Sequence, residues 1–245
     1  MGRDRSYLKP LLNNDFVNLG FTNIFGGVSK KPFESLNLAS HVGDIAENVR
    51  KNKEILQNNL GVEKIIFMEQ IHSDKIEILK IHNQILQPCD AVITNLKNIA
   101  LCVMVADCMP VILYSKKCVA AVHAGRSGVL KHIILKTINL MKDEFKVDEI
   151  SLIIGPFIQK NCYEIGDLDL KEFNKFVVLN DKNKRCFDLK SAVLDEIKNL
   201  NLHNVEISKI CTHCNKNYFS YRRDKITGRF AGWVYLKDRK STRLN

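Results

Sequence analysis

The segment LCVMVADCMPVILYSKKCVAAVHAGRSG, Leu101 to Gly128, decides the fold. Its runs Leu101–Val105, Val111–Tyr114 and Cys118–His123 are short, apolar and rich in valine, the pattern of strands buried on both faces. They carry Cys108 and His123 to strand ends. Upstream, His72 in MEQIHSD follows another apolar run, Ile65–Met68, in a similar setting. Together these residues make a candidate His-Cys-His site.

A thiolate and two neutral imidazoles suit zinc with an open fourth position, the pattern of a catalytic site. The same set suits a two-His, one-Cys copper centre, with Met104 or Met109 as a weak axial partner. Asp107, next to the cysteine, is placed to orient a ligand or carry protons. Gly125 and Gly128 allow a tight turn or a close backbone approach after His123. Spacing alone leaves a second reading open, because cysteine and histidine also fill cores.

On either side of this segment the chain alternates strands and helices. Val17–Phe25 reads as a strand closing on the turn signal Gly26-Gly-Val-Ser29. Asp44 reads as the cap of a helix running to about Leu60, with Gly61 as its stop. Ile65–Met68 and Ile76–Leu79 read as strands flanking the Gln70-Ile-His72 turn, and Asp90–Thr94 as another. Apolar residues at 130, 133, 134, 138, 141 and 145 predict one helix over Val129–Phe145. Beyond it, Ile150–Ile154 and Val205–Ile210 read as strands and Asp188–Asn201 as a helix. Strands and helices are thus interspersed, without a Gly-rich dinucleotide loop.

The 245 residues, 45% of them hydrophobic, suffice for a substantial core. No Pro/Ser/Gly linker divides them, so a single domain over residues 1–237 is expected. Neither a transmembrane-length apolar run nor a hydrophobic signal core is visible, which predicts a cytoplasmic protein whose cysteines stay thiols. The formal charge of +10 comes from lysines scattered with asparagine, not from a stripe, and no nucleic-acid motif accompanies it. Neither nucleic acid nor a membrane is expected as a partner; small anionic substrates are. The closing DRKSTRLN, Asp238–Asn245, is what a common sequencing-adapter end encodes in frame, which predicts a non-native read-through tail.

Two later stretches carry further chemistry. Cys211-Thr-His-Cys214 is a CxxC with an internal histidine, but no second CxxC or spaced His pair completes it, so packing is the preferred reading. Tyr218 to Arg229, YFSYRRDKITGR, brings Arg222, Arg223 and Arg229 close together. These are rigid multidentate donors suited to phosphate or carboxylate, although a surface ion pair accounts for any one of them taken singly.

ADCMPVILY, VAAVHAG and QIH, with GGVS, SLNL and HVGD before them and IGP, YE and FSYRRD…TGR after them, resemble the bacterial laccase-domain family. Its members are also called YfiH-like or polyphenol-oxidase-like proteins and purine nucleoside phosphorylases. The resemblance spans about Phe21 to Phe230. It implies mixed β-sheets packed as a sandwich and covered by helices, in a single α+β domain. It also implies a catalytic metal, usually zinc, on His72, Cys108 and His123. Substrate contacts are expected from Asn37 and His41 in their loop, from Gln70, and from Arg222, Arg223 and Arg229. The chain departs from the family at Ile24, where an arginine is usual, and at Phe157, where a cysteine is. At Arg126 the usual tryptophan is lost and an arginine shifts by one position. Cys214 has no counterpart in the family's Cys-Thr segment.

The resemblance implies phosphorolysis of adenosine, inosine or related nucleosides such as methylthioadenosine, with accompanying adenosine deamination. Zinc would activate water for attack at C6, Asp107 would move protons, and the arginines would hold phosphate for attack at C1′. The laccase label points instead to a copper-dependent polyphenol oxidase. Against a multicopper cluster stands the lack of any His-x-His pair among the seven histidines. A hydrolase editing peptidoglycan precursors is a further alternative.

Overall fold

In the computed structural model, which describes residues 10–238, two mixed sheets carry the chain. Of the suspected tail, all but Asp238 lies outside the described residues. The first sheet runs in the order Leu12–Asn13, Val17–Phe21, Phe230–Leu236, Ile99–Val105, Lys64–Phe67. The second runs Asn204–Ile207, Ser151–Ile154, Met109–Tyr114, Val119–Ala124, Ala91–Thr94, Ile76–Leu79. Neighbours are antiparallel except for the Lys64–Phe67 edge of the first sheet and the outermost pair at each edge of the second. A separate ribbon pairs Val177–Leu179 with Arg185–Phe187.

Strand Ile99–Val105 shows why the sequence there lacks alternation. Ile99, Leu101, Val103 and Val105 face the core between the sheets, where they join Ile112, Val119, Ala121 and Ile153. Ala100, Cys102 and Met104 point the other way, into a cluster with Trp233, Leu36, Leu38 and Leu56 of helix Ala46–Leu60. Both faces of the strand are dry, so every position is apolar. On the far side of the second sheet, Ile93, Val111, Leu113 and Val122 pack under helices Ile133–Phe145 and Leu189–Ile197. The layers are therefore helix, sheet, sheet, helix, the α+β sandwich expected. Among the described residues no helix is long and apolar enough to cross a membrane.

Several local expectations need correction. The first helix is entered through Ile45 without a side-chain cap. Asp44 instead accepts from Ser29 Oγ at 2.6 Å and Asn37 Nδ2 at 2.9 Å, tying two loops together. Gly61 does end that helix, at φ 64°, a conformation that costs glycine little. The single helix expected over Val129–Phe145 is two, Arg126–Leu130 and Ile133–Phe145, broken at His132 with φ 61°. Residues 130 and 133 straddle the break at helical spacing, so periodicity could not reveal it. The strands expected to reach Phe25 and Ile210 end at Phe21 and Ile207. Asp188 does cap its helix, accepting from the Ser191 N–H at 3.0 Å, although the helix closes early, at Ile197.

The chain crosses from the first sheet to the second twice in succession. Residues 68–75 link Lys64–Phe67 to Ile76–Leu79, and residues 106–108 link Ile99–Val105 to Met109–Tyr114. These crossovers meet at one end of the sandwich.

Candidate active site and metal centre

His72 lies on the first crossover and Cys108 on the second, while His123 is the penultimate residue of strand Val119–Ala124. One ligand atom from each falls within 4.8 Å of the others. The two imidazoles stand edge to face, 4.8 Å apart at 83°. Gly125 makes room for the sulfur: a Cβ there would come within 2.9 Å of Cys108 Sγ.

A buried carboxylate that motif reading missed organises this trio. Asp90 Oδ1 lies 2.7 Å from His123 Nδ1 and accepts the His72 backbone N–H at 3.0 Å. Its other oxygen accepts from the Ser73 N–H at 2.6 Å and from Ser73 Oγ at 2.7 Å. Three successive backbone N–H groups, from Ile71 to Ser73, thus point at one side chain, which holds His72 at φ 57°. With its Nδ1 engaged by a carboxylate, His123 is left to ligate through Nε2, the usual outer-shell arrangement of a metal-binding histidine. The only sequence signal for Asp90 was its position at the start of a predicted strand.

Charge in the trio is coupled. Burial alone pushes the Cys108 thiol up, but His123 and His72 outweigh it and hold the thiol down to about 6. Burial likewise disfavours a charged His123, yet the Cys108 thiolate and Asp90 raise it above the ordinary histidine value. Asp90 is opposed by burial and still held at about 2, by hydrogen bonds from His123 and Ser73. A thiolate beside two imidazoles, one backed by a carboxylate, fits zinc or a soft copper ion.

The trio forms the floor of a cavity of about 330 Å³, near the lower end for small-ligand sites. His41, Gln70, Asp107, Arg222 and Arg229 line it, and so do Tyr163 and Tyr221. The tyrosines carry the arginines on their faces. The Arg222 guanidinium sits 5.0 Å from the Tyr163 ring centre and that of Arg229 5.9 Å from Tyr221. Burial presses the pKa of Arg229 down, opposed by Cys108 and Asp107, so a partly desolvated cation faces the cavity. Burial, then Arg229, lowers that of His41, which favours the neutral imidazole.

Not every nominated residue is free to meet a ligand. Asn37 is fully buried away from the cavity, and its amide is taken up by Ala39, Asp44 and the Arg229 N–H. The Arg223 guanidinium donates to the carbonyls of Thr212, His213 and Tyr218 and to the Asp224 carboxylate. In both, the polar atoms are taken up by partners within the chain. Gln70 lines the cavity, but its amide is paired at both ends with the Met104 backbone, at 2.8 Å each way, so it clamps the first crossover. Asp107, at φ 98°, accepts from Thr212 Oγ1 at 2.7 Å and from the Arg222 N–H at 2.6 Å. The carboxylate touching a histidine of the trio is that of Asp90. Ile24 packs against the core between the sheets, and Phe157 is buried under the second sheet.

A family model described as multi-copper polyphenol oxidoreductase laccase matches residues 18–237. The chain is 37% identical to the purine nucleoside phosphorylase of Campylobacter jejuni over 97% of its own length and 100% of that protein's. It is also 37% identical to the purine nucleoside phosphorylase of Aquifex aeolicus, over 83% of this chain and 94% of that one. Among solved structures, a Neisseria meningitidis protein superposes with a TM-score of 0.80 at 30% identity, covering 92% of this chain and 100% of that one. YfiH of Bacillus licheniformis does so at 0.80 and 28%, covering 90% and 93%. The chain thus belongs to the laccase-like, YfiH family, and the sandwich is the fold it shares with these relatives.

Proposed function

We propose that this protein is a zinc-dependent purine nucleoside phosphorylase acting on adenosine and inosine, and on related nucleosides such as methylthioadenosine, with adenosine deaminase activity at the same site. The observation that carries the reading is one cavity with a His72, Cys108, His123 floor and walls that pair a tyrosine with an arginine twice. The names of the relatives support it.

His72, Cys108 and His123 would hold the ion, which when bound supplies Lewis acidity. Arg222 and Arg229 attract inorganic phosphate and orient one of its oxygens toward C1′ of the ribose. The new bond joins that oxygen to C1′, and the C1′–N9 electron pair leaves with the base. Tyr163 and Tyr221 hold the two guanidinium groups on their faces and bound the space that a purine would fill. His41, whose neutral form is favoured by burial, offers an N–H to N7 of the departing base, where charge accumulates. In the deaminase reaction the same walls present C6 to the floor, and Asp107, anchored by Thr212 and Arg222, is the carboxylate beside Cys108 available to relay protons.

A multicopper oxidase reading does not suit this ligand inventory. Among the described residues, the groups of three or more ligating side chains are the His72, Cys108, His123 trio and a cluster of cysteines, and neither supplies the paired histidines of a trinuclear centre.

The test is turnover of adenosine and inosine by zinc-loaded protein, with and without phosphate, beside a His72→Ala control. Phosphate-dependent release of adenine or hypoxanthine together with ribose 1-phosphate, and phosphate-independent conversion of adenosine to inosine, are expected in the wild type alone. A folded, metal-replete sample that turns over no nucleoside rejects the reading, and UDP-linked peptidoglycan precursors become the next substrates to assay.

A further inference from the structure

Outside the cavity, three other cysteines converge. Cys211 and Cys214 share the turn Cys211-Thr-His-Cys214, and Cys162 closes the short turn Lys160–Cys162. The three sulfurs lie within 4.8 Å of one another, with Cys162 and Cys214 only 3.4 Å apart. Around a tetrahedral zinc with Zn–S bonds of about 2.3 Å, sulfurs stand about 3.8 Å apart, so small shifts suffice to close the set on an ion. The Gln159 N–H donates to Cys211 Sγ at 3.4 Å, as an outer-shell donor to a thiolate does. Cys214 is exposed and the other two are half-buried, which gives an ion a path from solvent. Beside them opens a cleft of about 500 Å³ that His213 and Glu164 also line.

We propose that Cys162, Cys211 and Cys214 form a second metal site, separate from the His72, Cys108, His123 trio, that takes a thiophilic d¹⁰ ion of the Zn²⁺ class, with its fourth position completed by water or by a side chain of the adjoining cleft. Closing the site joins residues far apart in sequence, and binding releases the thiol protons to solvent. A Cys162–Cys214 disulfide would use two of the sulfurs and leave the third, with its own N–H donor, unexplained.

The site's role is to fix one wall of the cavity. Arg222 Nη1 donates to the Glu164 carbonyl at 2.7 Å, two residues from Cys162. Arg223 Nη1 donates to the Thr212 carbonyl at 2.8 Å, between Cys211 and Cys214, and Thr212 Oγ1 donates to Asp107. An ion bridging the two segments therefore holds in register the chain that positions Asp107 and Arg222.

The experiment measures zinc per chain by elemental mass spectrometry on the zinc-loaded, full-length protein and on Cys162→Ser, Cys214→Ser and His72→Ala. Each cysteine variant is expected to hold one ion fewer than the wild type, and His72→Ala to keep the thiol-bound ion. Because the readout is a difference, it stands whether or not the trio binds metal. In parallel, alkylation of the wild type is mapped by peptide mass with and without a chelator, so the test survives misfolding of a variant. Residues 162, 211 and 214 should be protected until the ion is stripped. Unchanged zinc content in the cysteine variants, alkylation of these thiols regardless of chelator, or a Cys162–Cys214 disulfide in zinc-loaded protein would overturn the proposal.

Discussion

Asp90 Oδ1 stands 2.7 Å from His123 Nδ1, and the same oxygen receives the backbone N–H of His72 at 3.0 Å. One carboxylate thereby positions two of the three candidate ligands. Asp90→Asn keeps the volume but loses the charge and puts an amide N–H where an acceptor was. Zinc affinity should fall about 10- to 100-fold, measured by competition with a chromophoric chelator. Wild-type affinity in the variant would mean that the trio is set by packing alone.

Gly125→Ala isolates the space around the sulfur. Its φ of −77° suits alanine, so the backbone is not strained, but the new methyl would stand 2.9 Å from Cys108 Sγ. Metal affinity should drop by about tenfold, a loss of about 1.4 kcal/mol, while the melting temperature of the metal-free protein stays close to that of the wild type. A large loss of metal-free stability would instead assign this glycine to the fold.

Arg223 and Arg229 should separate cleanly. Arg223→Ala leaves the carbonyls of Thr212, His213 and Tyr218 without their donor and should cost about 2 kcal/mol in urea unfolding. Arg229→Ala should raise the KM for phosphate at least tenfold with a smaller stability change. Matching phosphate defects in the two variants, at equal stability, would reverse these assignments.

Asn52 is buried on the first helix, where it accepts the Val28 N–H and donates to Ser29 Oγ and to the carbonyls of Ser35 and Asn37. Removing it strands several polar groups in a dry setting. Asn52→Ala should destabilise the protein by about 3 kcal/mol, read from the midpoint of denaturant unfolding. A shift below about 0.5 kcal/mol would show that water replaces the amide.

The strands of the sandwich core were readable because burial on both faces writes continuous apolar runs, as in Leu101–Val105. The same runs frame Cys108 and His123, so the trio stood out as polar or reactive residues at their ends. Asp90 did not, because an acid at the start of a strand looks like any strand boundary until the fold brings Ile71 to Ser73 against it. Arg222 and Arg223 are adjacent and chemically identical, and only tertiary contacts decide that one faces the cavity while the other holds a loop. Cys162 lies far from Cys211 and Cys214 in sequence, so the CxxC looked incomplete. Tyr163 and Tyr221 sat inside recognised motifs, but spacing offered no reason to single them out from ordinary packing aromatics.

His72 and Cys108 ride on crossovers tied to strands at both ends and His123 on a strand itself, whereas Tyr163, Tyr221, Arg222 and Arg229 come from connecting segments that belong to neither sheet. Substitutions in the two parts should therefore have different consequences. Altering a crossover disturbs both sheets at once, while altering a connector reshapes only what the cavity accepts. What the cavity accepts and what its trio would hold are thereby set by different parts of the chain.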